Sequence, residues 1–145
     1  MIDMQNKIFT TDFLKTKKKS ALIIFNNQWF GFDVSIANEN ITSLFDTGAG
    51  DTLVDPKLIE NYPENFQFIQ SLEITDGANK KLKSAIYKMK ALVVNQNVFN
   101  DIYVLAYDLS ILQNEIPSVK IILGFNIIKR QNWWFNFEQQ EWGHQ

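Results

Sequence analysis

The stretch "SLFDTGAGDTLV" (Ser43–Val54) decides how this chain is read. Leu44 and Phe45 run directly into Asp46; Thr47, Gly48, Ala49 and Gly50 follow, and the apolar pattern resumes at Leu53 after Asp51 and Thr52. A carboxylate at the end of a buried strand is costly unless donors satisfy it. Small residues behind it keep Cβ bulk away, so that backbone N–H groups can approach. The pattern therefore predicts a strand ending in a loop that wraps Asp46. An Asp in a plain Gly-rich β-turn is the structural alternative.

The flanks place that loop in a β-rich frame. Upstream, "ALIIF" (21–25) and "QWFGFDVSIA" (28–37) are β-rich runs separated by Asn26-Asn27, residues that tolerate the positive φ of a tight hairpin turn. A turn at "NEN" (38–40) leads into "ITSLFD", so three consecutive strands deliver Asp46. Downstream, "TLVDPKLIENY" (52–62) reads as a short strand and a short helix, with Asp55 as N-cap and Pro56 at the first helical position. "FQFIQSLEIT" (66–75) and "KLKSAIYKMKALVV" (81–94) form a long hairpin joined by "DGAN" (76–79). The strand "VFNDIYVLAY" (98–107) and a polar, helical-turn connection (108–117) come next. "KIIL" (120–123), Gly124, a short helix over 125–131 and the aromatic hairpin "NWWFNFEQQEW" (132–142) complete the chain. Short strands dominate and two short helices interrupt them, which predicts a mainly β chain with a closed or folded sheet.

Composition narrows the chemistry. The 145 residues suit one domain, 46% apolar and 21% charged, and the net charge of −2 makes nucleic acid an unlikely partner. The absence of cysteine excludes disulfides, thiol nucleophiles and cysteine-ligated zinc. The one histidine, His144, is penultimate and poorly placed for a Ser-His pair, which leaves carboxylates as the acid–base groups. Residues 1–20 end in the basic "KTKKKS" and read as a flexible, solvated arm; 21–145 form the globular domain. The first twenty residues lack the apolar core of a signal peptide, and no apolar run is long enough to span a membrane. A soluble, cytoplasmic protein with no membrane partner is expected.

"FDTGA" (45–49) resembles the signature of the retropepsin-like aspartic proteases: two apolar residues, Asp-Thr/Ser-Gly, then a small residue. "IILGFNII" (121–128) resembles the apolar-apolar-Gly stretch that precedes the family's C-terminal helix, and the likeness spans roughly residues 28–142. It implies a closed, pepsin-like single-lobe β-barrel with one or two short helices, homodimeric, with no cofactor and no metal. It also implies an aspartic endopeptidase acting on protein or peptide substrates, with Asp46, Thr47 and Gly48 catalytic and Ala49, Gly50 and Asp51 touching substrate. The 66–95 hairpin corresponds to a flap over the substrate, with Asp76, Gly77 and Ala78 at its tip, and Gly124 packs beneath the Asp46 loop.

One Asp cannot be general base and general acid towards the same peptide bond, whereas two carboxylates sharing a proton can. The chain holds a single Asp-Thr-Gly. The second Asp46 must then come from a second copy on a twofold axis. The alternative is a catalytically inactive dimerisation or peptide-binding module on the same fold.

Retroviral members often carry an Asp two residues after the signature Gly and an Arg after the downstream Gly; Gly50 and Phe125 stand there in this chain. Both ion-pair partners are absent together, so no charge is stranded. Lys80, Lys81 and Lys83 read as solubilising charges on an exposed hairpin. Trp133 and Trp134 point to opposite faces of a strand, which predicts one in the core and one at a subunit interface.

Overall fold

The computed structural model describes residues 19–75 and 78–144. The first strands are β1 (Ser20–Ala21), β2 (Ile23–Phe25), β3 (Trp29–Ile36), β4 (Glu39–Phe45) and β5 (Thr52–Val54). Helix α1 (Pro56–Asn61) and a 3-10 turn (Pro63–Asn65) lead to β6 (Phe66–Thr75), β7 (Lys81–Val94) and β8 (Asn97–Ala106). Helix α2 (Ser110–Gln113), β9 (Val119–Leu123), α3 (Phe125–Ile128), β10 (Trp133–Asn136) and β11 (Glu141–His144) follow.

Local chemistry sets the joints. Asn26 and Asn27 hold φ of 50° and 55° between β2 and β3, the left-handed pair that matches the twist of a hairpin. The next turn lies at Ala37 and Asn38, with φ of 50° and 66°, so Glu39 and Asn40, expected in the turn, already belong to β4. Asp55 caps α1 by accepting from the Lys57 N–H at 2.9 Å, and its other oxygen accepts from Gln113 Nε2 at 2.9 Å. That second bond lets an acid only 3% exposed sit at a helix start.

Eight strands run in the order β2-β3-β4-β9-β5-β8-β7-β6, and β3 also meets β7. The strands β3, β4, β9, β5, β8 and β7 thus form a ring whose seam is the single residue pair Ser35↔Val93. The mainly β expectation holds, but the expected closed barrel is better described as a sheet ring. The physical reason is that β7 pairs over Lys81–Met89 with β6 in its long hairpin and meets β3 at one pair only, at Val93 near its end, so no continuous ladder closes the circle. Among the described residues, three short α-helices and one 3-10 turn, rather than one or two helices, serve as connections.

The pairing of β4 with β9 matters most for the site. The two strands are parallel, with Leu44↔Ile122 and Phe45↔Leu123 in register, so Asp46 and Gly124 emerge side by side at one end of the sheet. Antiparallel pairing of β5 with β9 brings the chain back at the same place. One face of these strands lies in the main core with Phe32, Met89, Leu92, Ile102, Ile121 and Leu123; Leu44 and Ile122 face a second cluster with Phe25, Leu109, Ile116 and Val119.

A separate three-stranded sheet, β1-β11-β10, closes the aromatic end. Phe32 stacks on Trp142 with ring centroids 3.8 Å apart. Trp133 and Trp134 are both buried within the one chain, at 6% and 2% exposure, which corrects the expectation that one of them faces a subunit interface. The cause is Gly143, the cross-strand partner of Trp134: a Cβ there would lie 2.5 Å from the indole, so the missing side chain makes room for the ring. No helix among the described residues is long and apolar enough to cross a membrane.

Candidate active site

Asp46 leaves the end of β4 with its N–H donating to Leu123 O at 3.1 Å, the last bond of the parallel pairing. Its carboxylate is half-buried, more open than a strand-end burial demands, and Oδ1 accepts the Gly48 N–H at 2.9 Å. Ala49 N–H donates to Asp46 O at 3.3 Å, which closes the turn. A Cβ on Gly48 would stand 3.2 Å from the same Oδ1, so glycine keeps this approach uncrowded. No described glycine adopts a positive φ, so glycine at position 48 answers to space and not to backbone twist. Thr47 and Gly48 are exposed at the tip, and Ala49 is half-buried.

The loop is tied down from below. The first N–H groups of α3 reach it: Phe125 N–H donates to Ala49 O at 2.7 Å and Asn126 N–H to Gly50 O at 3.2 Å. The two positions expected to lack the retroviral ion pair, 50 and 125, thus flank a contact made by backbone. Gly124 passes so close that a Cβ would fall 2.3 Å from Asp51 O and 2.8 Å from Thr52 N. Gly50, by contrast, has no atom within 4 Å of a built Cβ.

Two residues that sequence reasoning missed complete the anchor. Thr52, fully buried, accepts the Gly124 N–H at 3.1 Å and donates to Asn126 Oδ1 at 2.7 Å. Asn126 in turn donates through Nδ2 to Tyr103 O at 2.9 Å. A Thr opening the apolar run after the loop and an Asn interrupting "IILGFNII" were the available signals: polar residues in apolar runs need partners.

Beside Asp46 and Thr47 lies a cleft of about 360 Å³ floored by Phe30, Phe45, Phe135 and Phe137. Phe30 stacks on Phe45 at 5.4 Å, Phe135 meets Phe45 edge-on at 5.0 Å, and Phe137 is half exposed. Of the expected flap tip, Ala78 is exposed, while Asp76 and Gly77 lie outside the described residues, as do residues 1–18 of the expected arm. Asp51 is exposed at the loop's end, and Lys81 pairs with Glu73 across the hairpin at 3.4 Å. Among the described residues, no group of three or more His, Cys, Asp or Glu gathers to hold a metal.

The profile of the Aspartyl protease family matches residues 32–127. A search of curated proteins returns no match. Among solved structures, the chain is similar to a retropepsin-like aspartic protease from Rickettsia conorii, with a TM-score of 0.59 and 15% identity over 86% of this chain and 97% of that one. The retroviral protease-like domain of Ddi1 from Leishmania major gives 0.49 and 11% over 74% and 81% of the two chains. The Simian Foamy Virus (mac) protease gives 0.46 and 19% over 65% and 86%. With a profile match that spans both the Asp46 loop and Gly124, this chain belongs to the aspartyl protease family, and its fold is that of the retropepsin-like rickettsial enzyme.

Proposed function

We propose that the chain is an aspartic endopeptidase active as a homodimer, with Asp46 of each copy facing the other across a twofold axis. The observation that carries this reading is the isolation of one carboxylate in a built loop. The Asp46 carboxylate accepts a single hydrogen bond, from Gly48, and joins no ion pair among the described residues. One such group cannot both activate water and protonate a carbonyl. Two of them about 3 Å apart can, since like charges at that distance share one proton, the established behaviour of aspartic protease dyads.

In the pair, the ionised Asp46 takes a proton from water while the protonated one donates to the scissile carbonyl oxygen. Water oxygen bonds to the carbonyl carbon; the C–N bond then breaks, and the departing amine receives the proton. No covalent acyl-enzyme forms. Thr47, at the exposed tip, offers a hydroxyl to the partner's loop. The phenylalanine floor beside Asp46 supplies apolar surface for the second copy to cover. The β6–β7 hairpin serves as the flap, pairing its backbone with an extended substrate. Ala49, Gly50 and Asp51, with residues 76–78, are the substrate-contacting positions of this reading, and Gly124 holds the loop from below.

The test is cleavage of a random peptide library between pH 4 and 7, with and without pepstatin, with cuts mapped by mass spectrometry. Asp46→Asn should abolish every cut while the dimer persists in analytical ultracentrifugation. Specific activity should fall on dilution below the dimer dissociation constant. A monomer whose activity per chain is independent of concentration would refute the shared-proton pair. Peptide binding without cleavage in the parent protein would support the inactive module instead.

A further inference from the structure

We infer that Asp51 and the apolar pocket beside it select a lysine or arginine side chain of the peptide. The inference rests on the endopeptidase reading and adds its substrate class. The pocket holds about 190 Å³ and is lined by Asp51, Leu72, Ile86, Tyr103, Val104 and Leu105. That is smaller than the ~300–1,000 Å³ of sites that enclose a small molecule, and suits one side chain.

The strand register explains the lining. Ile86 on β7 lies opposite Leu105 on β8, and Leu72 on β6 stands beside them; all three are half-buried. Val104 turns its side chain into the core at 2% exposure, so it contributes backbone to the pocket wall. Tyr103 forms an exposed rim. Asp51 is the only ionisable carboxylate in the lining, and among the described residues it makes neither an ion pair nor a side-chain hydrogen bond.

The backbone at both ends of the pocket is held in place before any ligand arrives. Gly124 packs against Asp51 O, with room for no Cβ. Asn126 binds Gly50 O through its backbone and Tyr103 O through its side chain, so one residue fixes the acidic end relative to the aromatic rim. Preorganisation of this kind lowers the ordering cost of binding. Lys88, opposite Tyr103 in register, stands two strand spacings from the Asp51 row, about 10 Å away.

Aliphatic walls with one unpaired negative charge beside them match a side chain with a methylene stem and a cationic head. Glutamate meets like-charge repulsion there. Methionine satisfies the walls and leaves the carboxylate unpaired. In a twofold dimer the pocket occurs twice, so the preference falls at equivalent distances on both sides of the cut.

The test scans each position of a cleaved peptide with Lys, Met and Glu. The ratio of kcat/KM for Lys over Met should reach about fivefold at one position on each side, the upper range of an exposed ion pair, and shrink with added salt. In Asp51→Asn that ratio should fall to about one, and in Asp51→Lys the preference should pass from Lys to Glu. Cleavage with no basic preference at any position, or a preference unchanged in Asp51→Asn, overturns the inference and leaves the endopeptidase intact. If no peptide is cut, the endopeptidase reading itself fails. The same peptides are then titrated onto the full chain by fluorescence anisotropy: tighter binding of the Lys peptide that is lost in Asp51→Asn supports the pocket, and equal binding overturns it.

Discussion

Replacing Gly124 by alanine tests the anchoring of the Asp46 loop directly. The added Cβ falls 2.3 Å from Asp51 O, 2.4 Å from Asp51 C and 2.8 Å from Thr52 N. All three are backbone atoms, so no rotamer change relieves the clash. Restoring ordinary contact requires α3 and the loop to separate by about 1 Å. The separation loosens the bonds from Phe125 N–H to Ala49 O and from Asn126 N–H to Gly50 O, now 2.7 and 3.2 Å. Overpacking costs about 1–3 kcal/mol, and each loosened hydrogen bond about 0.5–1.5 kcal/mol. The total, about 2–6 kcal/mol, is a large share of the ~5–15 kcal/mol that holds a typical domain folded. At about 2–4 °C per kcal/mol, the melting temperature should fall by roughly 4–24 °C. Tryptophan fluorescence melts measure it. In the proposed dimer, a 1 Å displacement of Asp46 should also cost about 100-fold in cleavage. Gly50→Ala is the matched control: nothing lies within 4 Å of its Cβ, and stability should move by less than about 0.5 kcal/mol. A Gly124→Ala protein that melts with the parent, or a Gly50→Ala protein damaged as badly, would refute the packing argument.

Other consequences concern single partners. Thr52→Val strands the buried Gly124 N–H and the Asn126 amide oxygen and should cost about 1–3 kcal/mol in urea unfolding, whereas Thr52→Ser should recover most of it. Gly143→Ala drives a Cβ to 2.5 Å from the ring of Trp134, which is buried and cannot swing away; a loss of about 1–3 kcal/mol with altered near-UV dichroism is expected. Asp108 accepts the backbone N–H of Ser110 at 2.9 Å, and that bond first, then the Ser110 side chain, holds its carboxyl below the usual range. Its contribution to stability is therefore present above about pH 4 and lost as pH falls through the lowered folded value, a titration that carboxyl NMR shifts follow and Asp108→Asn removes. Tyr62 donates to Glu39, and that bond, ahead of burial and the charge of Glu39, raises its phenol above the ordinary value; ultraviolet titration should show ionisation later than for free tyrosine and return to normal in Glu39→Gln.

What the sequence determined by itself was whatever depends on neighbouring residues. The Asn26-Asn27 turn, the Asp55-Pro56 helix start and the limits of the strands at 66–75 and 81–94 follow from backbone preferences and short-period patterning, and the structure reproduces them. The Asp46 loop was legible for the same reason, since its small residues lie directly behind the carboxylate. The turn at 37–38 was placed one residue late because Ala37, a residue without turn preference, takes up one of the two left-handed positions. Tertiary structure alone decided the rest. The parallel register that sets Phe45 beside Leu123, and so Asp46 beside Gly124, joins strands far apart in the chain. The Thr52–Asn126 bond that holds the site spans 74 positions. Trp134 is buried because Gly143, nine residues on and across a hairpin, leaves the space its ring fills. Each of these depends on which surfaces meet after folding, and no local pattern of polar and apolar residues carries that information.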